Sequence, residues 1–523
     1  MDFDTILFWF VMLSCLSALL RTLTNLRLLG WDWVLVYLTV LAVTGAGGWW
    51  NSPPAIYAGG ILWGVTVLVP ALLARFYLRW VLQQRYGPAR KLAKLAGWLH
   101  PMGGWRRQTT VLRALELAQE GKVEAGLQML ETCQQTKGSL AQMARSHFYR
   151  LSQRWEEFIA WQEAEGDLDR DPQLIPLALR ARGEVGDLAG LVNLYALHER
   201  RIARLEPAPQ RHFCRMVLFA FCGRRQAVEG LFAGPLEIVP AAVRELWLAT
   251  ADFAAGRTEE ARRALLKLLP DADAITRRAM EWRLGRPPPV AQPFLATGAG
   301  QVLERAEREN EQEETFGARP SLFGKSARAC QVFIALNLAV FLAETIAGGS
   351  TNLALLVRAG ALVPKTMHPG DWWRLVTANF LHYGPLHLAM NMVGLWILGP
   401  FVEFTVGRRR FVLVYLMSGI GAMGTVFLLH RAVGRDEILV GASACVMGLV
   451  GSMGAIMLRG WRRHNARIAS RRLVSVLAIV GLQTLFDWIV PQVSMAAHLS
   501  GSVIGFLTTL LVDRGPSDVR GAK

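Results

Sequence analysis

The sequence predicts an all-α, polytopic membrane protein with a bundle of six membrane helices at its C-terminal end. Three observations support this class: 52% of the 523 residues are hydrophobic, the longest apolar segments lie at the two ends of the chain, and amphipathic helical patterns recur between them. This composition is too apolar for a single soluble domain. The predicted regions are a membrane region of three helices (1–84), cytoplasmic helical repeats (85–290), a linker (291–326), the six-helix domain (327–515) and a cytoplasmic tail (516–523).

Nine segments approach the roughly 20 apolar residues that a bilayer-spanning helix needs. The opening MDFD is acidic and lacks the basic region of a cleaved signal, so the first segment is predicted to be a retained helix. The predicted segments are 6–22, 32–48, 56–78, 328–348, 384–404, 411–430, 438–458, 473–490 and 495–513.

The net charge of +16 follows the pattern of a membrane protein and gives no reason to expect a nucleic-acid partner. Arg408, Arg409 and Arg410 fill one short loop, and six arginines between 459 and 472 fill another. Because basic loops stay in the cytoplasm, both loops and the middle of the chain are predicted to be cytoplasmic. The N-terminus then lies outside, and the expected location is a bacterial inner or plasma membrane.

The middle of the chain contains a recurring helical element. It begins at Gly121, Gln153, Gly186, Gly223 and Gly256, at intervals of 32, 33, 37 and 33 residues. The pattern resembles tetratricopeptide repeats, which implies an α-solenoid with a surface for a protein partner. The alternative is an irregular helical bundle whose glycines only end helices. The Pro-rich stretch at 285–293 and the charged stretch at 302–314 then predict a linker with one solvated helix.

No cofactor or metal ion is expected. The six cysteines show no CxxC pair and are predicted to be free thiols. His382, His387 and His498 are zinc-ligand candidates by residue type, but the chain has no HExxH motif. After His198 and Glu199, the position of the second motif histidine is occupied by Ile202.

Three polar residues are predicted to lie at one depth of the membrane. His387, Ser443 and His498 fall near the starts of the second, fourth and sixth C-terminal helices, which all run in the same direction. They therefore lie a few residues below the outer surface, although they are distant in sequence. Such convergence is what a catalytic site needs.

The residue types at these positions suit hydrolysis. His387 and Asn391 share a helix face at i and i+4, and both can donate hydrogen bonds to a developing oxyanion. Ser443 stands among small residues, and His498 is a base that can remove its proton. Taken singly, Ser443 is more often a packing serine, and His498 a buried, hydrogen-bonded histidine.

Together these motifs resemble the rhomboid intramembrane serine proteases. The motifs are WWR ending at Arg374, FLHYGPLHLAMN ending at Asn391, GASA at 441–444 and AHLSGSVIG at 497–505. The resemblance implies that Ser443 is the nucleophile and His498 its base, a dyad without a carboxylate. It also implies that His387, Asn391 and the Ser443 backbone N–H line an oxyanion hole. The predicted supporting residues are Trp373, Arg374, His382, Glu403, Gly441, Gly448, Gly501 and Gly505.

The resemblance further implies a substrate, which would be a transmembrane helix cut near its outer end. The helix at 473–490 and a cap near Pro491 to Met495 would resemble the family's substrate gate. Two positions depart from the family pattern, since Ala444 replaces a frequent glycine and Met447 a frequent aromatic residue. Two hypotheses follow: an active protease whose repeats recruit substrates or a regulator, and a non-enzymatic adaptor that binds transmembrane clients without cutting them.

Overall fold

The computed structural model describes residues 3–24, 31–99, 104–136, 138–166, 168–205, 207–294, 299–316, 327–433, 437–489 and 494–512. Within these ranges the regular structure is helical, apart from one antiparallel bridge between Leu362 and Leu439. The predicted all-α class is therefore confirmed. The chain divides into two units, Met1–Glu307 and Arg308–Lys523, which are described separately.

The first unit begins with three apolar helices, α1 (Phe3–Thr24), α2 (Trp31–Trp49) and α3 (Pro53–Leu82). Helices α2 and α3 are long and apolar enough to cross a membrane, and the described residues of α1 include the apolar stretch Leu7–Leu20. The Trp63 indole N–H donates to the Ser14 hydroxyl at 2.9 Å and links α3 to α1. These helices correspond to the three predicted N-terminal segments.

A regular series of helix pairs follows. One or two residues after the first helix of each pair, the backbone is left-handed, with φ between +62° and +91°. These residues are Gly121, Gln153, Gly186, Gly223 and Gly256. They are the positions at which the predicted repeats begin. The helices are α4 (Tyr86–Leu99) and then, pair by pair, α5 (Trp105–Gln119) and α6 (Val123–Gln134), α7 (Ser139–Ser152) and α8 (Trp155–Ala164), α9 (Ile175–Glu184) and α10 (Leu188–Ile202), α11 (Pro209–Phe221) and α12 (Arg225–Ala233), α13 (Ala241–Ala254) and α14 (Thr258–Leu268).

One further helix, α15 (Ala274–Gly285), packs against the first helices of the pairs. Its Arg283 forms a buried ion pair at 2.8 Å with Glu184 of α9, and the Trp282 indole donates to the same carboxylate at 3.1 Å. The Arg283 guanidinium also lies 4.8 Å from the centre of the Phe221 ring of α11. The surface of the first helices around Glu184 and Phe221 is thus covered by the chain's own helix. The tetratricopeptide-like solenoid stays a prediction.

The boundary between the units falls within α16 (Gly300–Phe316), in the region predicted to be a linker. A solvated helix was expected there. Instead, Leu303 and Ala306 of α16 are buried in the core of the first unit, because apolar residues recur at helical spacing within the charged stretch. Residues 317–326 of the predicted linker and the predicted tail 516–523 lie outside the described residues.

The second unit contains six helices that are long and apolar enough to cross a membrane. Together with α2 and α3, the chain has eight such helices among its described residues, which makes it an integral multi-pass membrane protein. The helices of this unit are α17 (Arg328–Ala347), the short α18 (Leu353–Ala359), α19 (Pro385–Val406), α20 (Arg408–Val433), α21 (Ser443–His464), α22 (Arg467–Ile489) and α23 (Met495–Val512).

Helix α21 is the centre of the second unit. In its most apolar stretch 72% of the residues are buried, compared with 11% in that of α22. It meets α23 through glycines: a Cβ atom added to Gly501 would lie 2.4 Å from the Ala444 carbonyl oxygen, and one added to Gly505 would lie 2.1 Å from that of Gly448. The contacting residues advance together along both helices, so α21 and α23 run parallel with their backbones in contact.

The six cysteines are all buried and free of disulfide bonds. In the helix pairs, burial raises the pKa of Cys222 to about 12, with a small opposing contribution from Arg224. A thiol in this environment stays protonated and behaves as a small apolar side chain.

Candidate active site

Ser443 is the first residue of α21 and is partly exposed. The segment before it is held by backbone hydrogen bonds, from the Gly441 N–H to the Ala378 carbonyl at 2.8 Å and in the bridge between Leu439 and Leu362. Gly441 has φ +119°, which a residue with a side chain rarely adopts. The Ser443 N–H consequently stands at a helix N-terminus, where backbone donors are unpaired and the helix dipole favours negative charge.

His382 supports this segment from the connection that precedes α19. Its Nδ1 lies 3.0 Å from the Phe380 carbonyl oxygen, and the Ala442 N–H donates to its Nε2 at 3.5 Å. Burial, with a smaller contribution from His387, lowers the pKa of His382 to about 3. The ring is therefore neutral, donating through Nδ1 and accepting through Nε2. Its backbone N–H donates to the buried carboxylate of Glu344 at 3.3 Å, a residue that the sequence analysis did not single out.

His387 and Asn391 of α19 both face Gly441, two residues before Ser443. A Cβ atom added to Gly441 would lie 2.6 Å from His387 Nε2 and 3.5 Å from Asn391 Nδ2. Asn391 is buried, and its Nδ2 has no hydrogen-bond partner among the described residues. Buried donors are nearly always paired, so an unpaired one beside a candidate nucleophile is suited to an anion that forms there during a reaction.

His498 is buried near the start of α23 and has a carboxylate partner. Its Nδ1 lies 2.9 Å from Oδ2 of Asp487, whose side chain is 1% exposed, at the end of α22. This departs from the expected dyad without a carboxylate. The sequence signal was an isolated acidic residue in an apolar helix, which is costly in a membrane and marks a functional position.

The site brings Ser443 and His498 to the same end of two parallel helices. The contact of Gly501 with Ala444 fixes the register of the two helices. Ser443 comes directly before Ala444, and His498 comes three residues before Gly501, so both lie less than one helical turn from this contact. Ser443 makes no side-chain hydrogen bond within the described part of the chain. Its hydroxyl is thus available to a base, and the chemistry that these groups support is proton removal from a serine beside a set of unpaired donors.

The other predicted supporting residues lie in three different places. Arg374 lies 4.6 Å above the Trp373 ring and donates to the Ala361 carbonyl at 3.1 Å, which fixes the chain next to the site. Glu403 lies elsewhere, since it accepts backbone N–H groups of Ala329 at 3.1 Å and Cys330 at 2.9 Å and caps α17. Gly448, Gly501 and Gly505 belong to the contact of α21 with α23.

The two departures from the family pattern are both buried. Ala444 packs against Gly501, and Met447 packs with Val450 of α21 and Val476 of α22. Most of the predicted cap lies outside the described residues, since 490–493 are not described. In the described parts of the chain, no group of three His, Cys, Asp or Glu side chains is arranged to hold a metal ion.

Comparison with known proteins identifies similar chains. The Rhomboid domain matches residues 369–514, a range that contains Ser443, Asp487 and His498. Rhomboid protease GluP of Bacillus subtilis (strain 168) is 33% identical over 175 residues, which are 34% of this chain and 33% of GluP. RHOMBOID-like protein 4 of Arabidopsis thaliana is 34% identical over 161 residues, 30% of this chain and 39% of that protein. Putative rhomboid protease YdcA of Bacillus subtilis is 34% identical over 143 residues, 27% of this chain and 68% of YdcA.

Proposed function

Because the chain belongs to the rhomboid family, we propose that it is an intramembrane serine endopeptidase that cuts transmembrane helices near their outer membrane boundary. In this proposal Ser443 is the nucleophile and His498 its general base. The Ser443 N–H, His387 and Asn391 bind the oxyanion. The match covers a third of GluP and 39% of RHOMBOID-like protein 4, so the proposal concerns the second unit.

The unpaired Asn391 amide is the observation that carries the proposal. A donor left without a partner in a buried site costs stability, by about 1 to 3 kcal/mol. That cost is understandable if the donor binds an oxyanion during a reaction. Its neighbour His387 faces the same glycine, and Ser443 follows two residues later. A packing serine has no need of such an arrangement.

The proposed reaction has two stages. Ser443 Oγ attacks the scissile carbonyl carbon while His498 Nε2 takes the hydroxyl proton, and the resulting oxyanion is held by the three donors. His498 then returns the proton to the leaving amine as the C–N bond breaks. Water hydrolyses the acyl-enzyme in the second stage, again with His498 as base.

Access for a membrane-embedded substrate is proposed beside α22. In its most apolar stretch only 11% of the residues are buried, the lowest share among the candidate spans. A helix with few contacts moves at low energetic cost. A substrate helix that carries a helix-destabilising residue such as Gly unwinds there and presents a carbonyl to Ser443.

The test is cleavage of a panel of tagged single-span reporter helices by the full chain in liposomes. The wild type is expected to cut at least one reporter, and Ser443→Ala and His498→Ala are expected to abolish the cut. Ser475→Ala is the matched control, since this exposed hydroxyl only bonds the Arg471 carbonyl of its own helix, at 3.4 Å.

Cleavage that persists in Ser443→Ala would disprove the proposed nucleophile. If the folded, inserted wild type cuts no reporter, the adaptor hypothesis takes its place. In that case binding of reporter helices without cleavage is expected.

We propose that the repeats lie in the cytoplasm, because basic residues accumulate at the start of α20 and where α21 ends and α22 begins. A reporter enzyme fused after residue 200 is expected to be active only as a cytoplasmic protein. Activity on the outer side would reverse the orientation and contradict cleavage near the outer boundary. A protein that binds the repeats would have to use surfaces other than the part covered by α15.

A further inference from the structure

We propose that Asp487 is a positioning residue for His498, so that the site works as a Ser-His-Asp triad rather than as a dyad. The inference rests on the proposed protease function and deepens it. Its starting point is the 2.9 Å contact between Asp487 Oδ2 and His498 Nδ1, which joins the end of α22 to the start of α23.

The contact determines which nitrogen of His498 carries the proton. An ionised carboxylate only accepts hydrogen bonds, so the Nδ1 atom beside it must be the donor. In a neutral ring, Nε2 then keeps its lone pair, which is the form that a general base requires. The carboxylate thereby selects the active tautomer and fixes the plane of the ring.

Gln483, one turn before Asp487 on α22, completes the arrangement. Its Nε2 donates to Asp487 Oδ1 at 2.8 Å and lies 3.4 Å from His498 Nδ1. The shorter contact satisfies the second carboxylate oxygen and holds Oδ2 towards His498. Such a partner orients the carboxylate just as the carboxylate orients the imidazole.

The burial of Asp487 explains why the pair favours catalysis. Its side chain is 1% exposed, and within the described residues its one ion pair is with His498. A buried carboxylate without a cation is costly. The cost falls when Ser443 gives its proton to Nε2 and the ring becomes an imidazolium, so the carboxylate stabilises the charge that develops in the transition state. The proton stays on the imidazole and is not passed to Asp487.

The first experiment compares Asp487→Asn with the wild type in the reporter cleavage assay. In this variant the amide oxygen takes the place of Oδ1, where it accepts the hydrogen bond from Gln483, and the NH₂ group takes the place of Oδ2 beside His498 Nδ1. Because an NH₂ group only donates, Nδ1 must accept, and the ring proton moves to Nε2. We expect kcat to fall roughly 100- to 10,000-fold, with little change in KM. Thr484→Val is the matched control, since this hydroxyl bonds the Val480 carbonyl of its own helix at 2.8 Å.

The second experiment reads the tautomer without using activity. Nitrogen-15 NMR of labelled histidine is recorded on the Ser443→Ala variant. The signals of His498 are assigned as those that disappear in the double variant Ser443→Ala/His498→Gln. They should show that Nδ1 of His498 carries the proton. Adding Asp487→Asn should shift the proton to Nε2. A proton on Nε2 while Asp487 is intact would overturn the inference, even if Asp487→Asn failed to fold.

The two proposals fail in different ways. Loss of cleavage in Ser443→Ala and His498→Ala together with wild-type kcat in Asp487→Asn would reject only the positioning role. Absence of any cleavage by the wild type would reject the protease function. In that case a proton on Nδ1 of His498 would still show that Asp487 selects the tautomer of the ring, and a proton on Nε2 would still refute this role.

Discussion

Helix α21, which begins at Ser443, meets α23 and α22 in different ways. Against α23 the contact is between backbones, because glycines leave no side chain between the helices. Against α22 it depends on a small cluster of aliphatic side chains and Met447, and most of α22 is uncovered. Two backbones in contact cannot shift without losing many interactions at once, whereas a helix held by a few side chains shifts at low cost.

This difference in packing assigns the proposed chemistry to the pair α21 and α23, and the proposed substrate entry to α22. Ser443 and His498 both belong to the tightly packed helix pair, so their spacing depends little on α22. Asp487 belongs to α22, so its contact with His498 depends directly on where that helix lies. Movement of α22 would change the orientation of the base before it changed the distance between the two parallel helices.

The largest expected effect comes from breaking the tight contact with Gly505→Ala. The new Cβ atom would lie 2.1 Å from the Gly448 carbonyl oxygen, so the two backbones must separate. Overpacking of this kind typically costs about 1 to 3 kcal/mol. We expect a clearly lower thermal midpoint and loss of most cleavage, measured on the purified chain in detergent and in liposomes.

The matched control for this prediction is Gly481→Ala on α22. An added Cβ atom there would meet nothing within 4 Å. We expect an unchanged or slightly higher midpoint, because alanine is the better helix former. Equal destabilisation by both substitutions would contradict the difference between the two contacts.

The second prediction concerns a contribution to catalysis that does not depend on helix packing. Asn391→Ala should lower kcat by about 100-fold with a small change in thermal midpoint, because the lost Nδ2 had no hydrogen bond within the described residues. Asn337→Ala provides the contrast, since the buried Asn337 amide donates to the Phe333 carbonyl at 2.7 Å. That variant should lose stability and keep its kcat. The reverse pattern would remove Asn391 from the proposed oxyanion hole.

The smallest expected effect tests the link between α22 and the base. Gln483→Leu removes the amide that holds Asp487 and leaves the carboxylate itself, so a several-fold lower kcat is expected, with little change in KM. The comparison is with Thr484→Val, the control used for Asp487→Asn. Unchanged kcat in Gln483→Leu would show that Asp487 keeps its orientation without this partner.

Local patterns in the sequence predicted much of this architecture. Small residues around Ser443 and at Gly501 and Gly505 indicated close helix packing, and the structure has backbone contact there. The repeat positions also follow from local chemistry, because a left-handed residue is needed where one helix of a pair ends and favours glycine. Gln153 is the exception among them, and it was still found because its neighbours match the same pattern.

Contacts between distant segments were harder to predict. Asp487 precedes His498 by eleven residues on a different helix, and sequence spacing alone cannot orient two successive helices. The contact of Trp282 and Arg283 with Glu184 was missed for a related reason, since it depends on how successive helix pairs are stacked. The charged composition of α16 likewise hid Leu303 and Ala306, which are few but lie on one face.

Covalent labelling of Ser443 tests the central claim most directly. The folded full chain would be treated with a fluorophosphonate, which reacts with activated serine hydroxyls, and the adduct located by peptide mass spectrometry. The proposed mechanism predicts an adduct on Ser443 that disappears in His498→Ala and after heat unfolding. An adduct on another serine, or an unmodified Ser443 in a preparation that cuts reporter helices, would contradict it.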